Sequence, residues 1–149
     1  RVKRLAFGGG DYTRDLGMEW TLEEDELLPV RSEMVLASRF GKLEPPVDTV
    51  FIHIKEHGAF RSSCSNILGL GFQGKMCIHP DQVPVTNETF TPDAEEVKWS
   101  HRVINEFAKA EKAGIASIQI DGYFVDYPIV EKAQRTVDIA NLLESLNLN

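Results

Sequence analysis

Residues 47–80, VDTVFIHIKEHGAFRSSCSNILGLGFQGKMCIHP, decide the fold. Val47 to Ile54 follows the Pro45-Pro46 break, is rich in Val, Ile, Thr and Phe, and predicts a strand. Residues 59–70 predict a helix: Phe60, Ile67 and Leu68 can share a face, and Gly69 and Gly71 mark its end. Lys75 to Ile78 predicts another short strand, closed by His79-Pro80. Toward the N-terminus the alternation continues. Val30, Met34, Ala37 and Phe40 recur at helical spacing ahead of Gly41, and Leu5-Ala6-Phe7 predicts a buried strand stopped by a turn at Gly8-Gly9-Gly10. Strand, helix, strand, helix, strand is the pattern of a parallel sheet covered by helices, an α/β fold.

Toward the C-terminus the character changes near Phe90-Thr91. Thr91 is placed to cap a helix with Pro92 at its first position, and Val97, Ile104, Phe107 and Ala108 keep that helix amphipathic up to Gly114. Residues 117–120 and 123–125 flank Asp121-Gly122, a strong hairpin signal. Pro128 opens a last helix with Val130, Ala133, Val137, Ala140 and Leu143 on one side. The expected organisation is βα units over 1–90 and a helix–hairpin–helix extension over 91–149.

The net charge of −7 over 149 residues, with no run of Lys and Arg, argues against a nucleic-acid surface. No apolar stretch is long enough for a membrane helix. Two cysteines, Cys64 and Cys77, are too few for a disulfide framework and point to a reducing, cytoplasmic setting. The chain runs from Arg1-Val2-Lys3-Arg4 straight into an apolar segment, which suggests a piece of a longer protein.

Four places carry polar groups suited to chemistry. Asp11 follows a glycine triplet just past a predicted parallel strand, where α/β proteins place their active sites; it suits a hard divalent cation, and the glycine N–H groups suit an anionic carboxylate. Local sequence alone favours a tight turn with a capping Asp. His79 ends a strand and suits either a ligand contact or a barrel rim, with the rim favoured locally; Lys75 reads as a rim charge rather than a phosphate ligand, and Cys77 as core. Asp126, between an apolar strand and Pro128, suits a helix cap, or an acid/base group. His53, Lys55, Glu56 and His57 read as a solvated rim, since their placement is wrong for zinc.

The stretches LAFGGGDYTRDLG, GLGFQGKMCIHPDQV with NETFTP, and IDGYFVDYP with EKAQRTVDIA occur in the order and spacing of a known family. The chain resembles the citrate lyase β-subunit-like group of the HpcH/HpaI aldolase superfamily, which includes malyl-CoA and citramalyl-CoA lyases. The resemblance spans essentially the whole chain, and G-F-x-G-K-x-C-I-H-P-x-Q is its most specific part. It implies the C-terminal part of a (β/α)₈ TIM barrel plus an extension, with the earlier strands, a substrate-binding Arg and a metal-ligating Glu in an N-terminal part not contained in this sequence. By the same resemblance Asp11 is a Mg²⁺ ligand, Gly10 and the Asp11 backbone hold a 2-oxo acid carboxylate, His79 and Pro80 lie beside the CoA moiety, and Asp126 is the acid/base group, often serving a neighbouring subunit. A departure is His53, where many CoA-acting relatives carry Asp; Glu56 keeps an acid nearby.

The implied activity is Mg²⁺-dependent cleavage of a malyl-CoA- or citramalyl-CoA-like thioester to acetyl-CoA and a 2-oxo acid, by a homo-oligomer (trimer or hexamer), with this stretch inactive by itself. A CoA-independent class II aldolase and a non-catalytic assembly subunit are the alternatives.

Overall fold

In the computed structural model, residues 1–146 are described. The chain divides into two compact units, Arg1–Phe90 and the residues from Thr91 onward.

The first unit is α/β. Its helices are α1 (Gly9–Leu16), α2 (Leu28–Phe40, preceded by a 3₁₀ turn at Asp25–Leu27), α3 (His57–Leu70) and α4 (Gln82–Phe90). Its strands are β1 (Val47–Asp48) and β2 (Gly74–Lys75), paired in parallel with Val47 opposite Gly74 and Asp48 opposite Lys75. Ala6 forms a parallel bridge to Val47 on the other side, backed by Phe7 N–H to the Val47 carbonyl and Val47 N–H to the Leu5 carbonyl. Three parallel segments therefore lie side by side, and the loops after each one open on the same edge.

The strands are shorter than residue type predicts, because the backbone beyond Asp48 finds other partners. The Phe51 carbonyl accepts from Gln82 Nε2 at 2.9 Å, Ile54 N–H returns to the Ile52 carbonyl, and Glu56 N–H to the His53 carbonyl. These bonds lie outside any ladder, and the strand is registered only over Val47–Asp48. Phe51, Phe60 and Cys64 form the core here, with Leu22, Val85 and Phe90 packed against them. The glycine triplet is not a turn before a loop. Gly9 is already the first residue of α1, and its N–H donates to Thr49 Oγ1 at 2.9 Å. A Cβ on Gly9 would lie 2.8 Å from that oxygen, so the helix approaches the strand as only glycine allows.

The second unit packs α5 (Ala94–Lys112) with α6 (Tyr127–Ser145) around the antiparallel hairpin β3 (Ile118–Ile120) and β4 (Tyr123–Val125). Asp121 (φ 50°) and Gly122 (φ 87°) are both left-handed, as a two-residue primed turn needs. Val103, Phe107, Ile120, Val125 and Ala133 form its core. The cap of α5 is Asp93 rather than Thr91: its carboxylate accepts from Glu96 N–H at 2.7 Å, and Asp-x-x-Glu begins two residues later than Thr-Pro suggests. Among the described residues no helix is long and apolar enough to cross a membrane.

Candidate functional site

Asp11 lies in the first turn of α1, beyond the end of the first parallel segment. Its carboxylate is 84% exposed and, among the described residues, pairs with Arg14 alone, at 3.1 Å one turn on. Gly9 N–H is taken by Thr49 and Tyr12 N–H by the Gly8 carbonyl, which leaves the N–H groups of Gly10 and Asp11 without an acceptor among the described residues. Two free donors at a helix N-terminus beside an exposed carboxylate suit an anionic ligand and a hard cation together. Asp11 does not cap the helix. The N-cap position belongs to Gly8, which has no side chain to offer.

His79 and Pro80 sit in the loop after β2, on the same edge. His79 Nδ1 accepts from Asp81 N–H at 3.3 Å and lies 3.5 Å from the Asp81 carboxylate, with the ring partly exposed. Gln82 anchors this loop: its side chain accepts from Ile78 N–H and donates to the Phe51 carbonyl, and it is 3% exposed. Nothing in hydrophobic periodicity marks Gln82, although it stands three residues after His79 in the most specific motif. Among the described residues no group of three or more His, Cys, Asp or Glu side chains is arranged to hold a metal. Asp11 therefore fits a cation as a single ligand.

Asp126 belongs to the second unit. It takes the N-cap position of α6 with extended backbone, yet its carboxylate makes no capping hydrogen bond. The neighbouring Tyr127 donates its hydroxyl to Glu111 at 3.0 Å. Asp126, half-buried after the fully buried Val125, keeps its oxygens uncommitted among the described residues.

Lys75 is not a rim charge. It is buried, and its Nζ reaches Asp48 Oδ2 at 2.6 Å and lies 3.8 Å from Glu24 Oε2. Arg31 joins them, donating Nε and Nη2 to the two Asp48 oxygens at 2.9 and 2.8 Å and Nη2 to Glu24 at 2.9 Å. Ser63 donates to Glu24 as well. Burial alone would lower the guanidinium's pKa, but Asp48 first and Glu24 second raise it overall, so Arg31 stays charged. A strand that alternates apolar and polar residues gives no hint that its Lys and Asp point inward as partners. Cys64 is a core thiol, pushed up to about 11 mainly by burial, with the nearby Lys75 charge working against that. Cys77 is only partly buried, with Sγ 3.3 Å from Thr86 Oγ1. Around His53, the side chains of Lys55, Glu56 and His57 are exposed as expected, but His53 itself leans its ring edge-on against Phe51 and has a shielded, unpartnered Nε2.

Known proteins bear on this arrangement. The family model described as HpcH/HpaI aldolase/citrate lyase matches residues 1–80. The human mitochondrial citramalyl-CoA lyase is 28% identical over 140 residues, which is 94% of this chain and 41% of that protein. The citrate lyase subunit beta of Escherichia coli K12 is 30% identical over 142 residues, 95% of this chain and 47% of that protein. The chain thus spans less than half the length of the curated relatives it matches. Among solved structures, the Mycobacterium tuberculosis protein CitE in complex with magnesium, acetoacetate and coenzyme A superposes with a TM-score of 0.72 at 24% identity, over 91% of this chain and 51% of that one. A citrate lyase from Burkholderia xenovorans LB400 gives 0.75 at 16% identity, over 96% and 47%. At these identities the likeness is one of fold.

Proposed function

The chain belongs to the HpcH/HpaI aldolase/citrate lyase family, and from that premise we propose that the protein containing it is a Mg²⁺-dependent carbon–carbon lyase. It cleaves a hydroxyacyl thioester of the malyl-CoA or citramalyl-CoA kind to acetyl-CoA and a 2-oxo acid. The observation that carries this is the start of α1 at residues 8–11: an exposed carboxylate and two unengaged N–H groups at a helix N-terminus, at the open edge of a parallel sheet. A citramalyl-CoA lyase among the relatives, and a fold neighbour that binds magnesium, acetoacetate and coenzyme A, support the substrate class. In this proposal residues 1–90 are the last βα units of a (β/α)₈ barrel and the second unit is its extension.

Asp11 supplies one Mg²⁺ ligand; the remaining protein ligand and the substrate-binding Arg come from outside these residues. A cation held there would supply Lewis-acid chemistry to the substrate. Gly10 N–H and Asp11 N–H hold the carboxylate of the 2-oxo acid portion. His79 and Pro80 line the approach of the CoA moiety. As the C–C bond breaks, the hydroxyl proton leaves to solvent or to a base outside the chain, and the electron pair passes to the carbon next to the thioester. Asp126 delivers a proton to that carbon to give acetyl-CoA, and removes it in the reverse direction. Its lack of a capping bond leaves the carboxyl available for this exchange. A homo-oligomer would let Asp126 serve a neighbouring subunit, and a cytoplasmic setting goes with two unpaired cysteines.

The full-length protein incubated with Mg²⁺ and malyl-CoA, citramalyl-CoA or hydroxymethylglutaryl-CoA should release acetyl-CoA from one of them, and EDTA should abolish the release. No acetyl-CoA from any of them, with cleavage of free hydroxy acids instead, would point to a CoA-independent aldolase. No cleavage of either class would point to an assembly subunit.

A further inference from the structure

Glu24, Arg31, Asp48 and Lys75 are buried together and have no part in the chemistry above. Their two positive and two negative charges balance. A buried ion cluster is weak evidence for stability, since apolar side chains of similar volume often serve as well. What this cluster does fix is geometry, and both of its outlets lead to the first turn of α1. Glu24 is held with φ 58° and ψ 24°, a backbone conformation that side chains disfavour. Its Oε2 faces Arg31 and Ser63, while Oε1 accepts from Trp20 Nε1 at 3.3 Å. The Trp20 ring edge in turn stands over Gly10, where a Cβ would meet Cζ3 at 3.6 Å. On the other side, Asp48 is followed by the buried Thr49, whose Oγ1 accepts the Gly9 N–H at 2.9 Å. Gly9 and Gly10 lie between these two supports, immediately before Asp11.

We propose that this buried charge cluster is the positioning element of the Gly10–Asp11 turn that opens α1, acting through Trp20 and Thr49. The inference rests on the role of Asp11 proposed above and adds residues to it. Neither Trp20 nor Thr49 touches the cation. They hold the backbone whose carboxylate and free N–H groups do the binding, as outer partners orient the groups that contact a metal.

The test uses the full-length protein and Mn²⁺ alone as the probe, with affinity measured by calorimetry and folding checked by circular dichroism and thermal midpoint. W20F keeps a ring and loses the N–H; T49V keeps the shape and loses the acceptor; T49S restores the acceptor. W20F and T49V should each weaken Mn²⁺ binding by about 10–100-fold in folded protein, and T49S should bind within a few fold of wild type. A purely structural cluster would lower the thermal midpoint of W20F and T49V with Mn²⁺ affinity unchanged, and that result overturns the proposal. If W20F does not fold, the T49V and T49S pair decides. D11N separates the two layers: loss of Mn²⁺ binding in D11N with wild-type binding in W20F and T49V sinks this inference alone, whereas wild-type binding in D11N removes the metal role of Asp11 as well.

Discussion

Asp126 stands where an Asp ordinarily caps a helix, and its carboxylate declines the bond. A capping Asp typically contributes about 0.5–2 kcal/mol, so Asp126→Ala should cost less than that here, with urea unfolding as the check. Asp93, which does cap α5, should cost about 1 kcal/mol when replaced by Ala. Cys64 gives a pH prediction. Burial raises its pKa from 9.0 to about 11, so the native state holds the thiol proton more tightly than the unfolded chain. The resulting stability is complete below about pH 9 and is lost as pH climbs through about 11. The stability advantage of wild type over Cys64→Ala should therefore shrink between those values, and urea midpoints at pH 8 and pH 11 measure it. An advantage that holds constant with pH would contradict the assignment.

The hairpin shows an element set by two adjacent residues. Asp121-Gly122 predicts the turn, and both residues are left-handed in it. Gly122→Val places a β-branched side chain at φ 87° and should cost more than the ~1–2 kcal/mol typical of a left-handed residue, read as a lower thermal midpoint. Arg102 adds a bidentate grip on Asp121, although at an exposed site this contributes little. Helices α2, α3 and α6 were legible from apolar spacing and from Gly or Pro at their ends. The strands were legible in place and direction but not in length, because Gln82 and local turns take the backbone groups that a ladder would use. The glycine triplet reads as a plain turn in sequence for a related reason. Glycine signals both a turn and a close approach, and only the packing of Gly9 on Thr49 shows that close approach governs here. Asp11 and Asp126 stand out by position relative to predicted strands, whereas Thr49 and Gln82 bond to groups 40 and 31 residues away, which no local pattern reveals.

At the scale of the whole molecule, the buried charges Glu24, Arg31, Asp48 and Lys75 distinguish the first unit from a plain apolar core. Lys75→Met removes one cation and leaves Asp48 and Glu24 sharing Arg31 alone. Breaking a buried pair from one side costs about 3–5 kcal/mol, and denaturant unfolding of the full-length protein should show a loss of that order. A loss near zero would mean that the cluster is hydrated or relaxes freely. The proposed chemistry, in contrast, draws on residues of both units, an exposed carboxylate beside free N–H groups in one and an N-cap Asp without a capping bond in the other. The most direct test of that chemistry is turnover of the cleaved CoA thioester by Asp126→Asn, with Mn²⁺ binding measured on the same preparation. The proposed mechanism predicts turnover at least about 100-fold below wild type with Mn²⁺ affinity unchanged. Wild-type turnover in that variant would remove Asp126 from the reaction and contradict it.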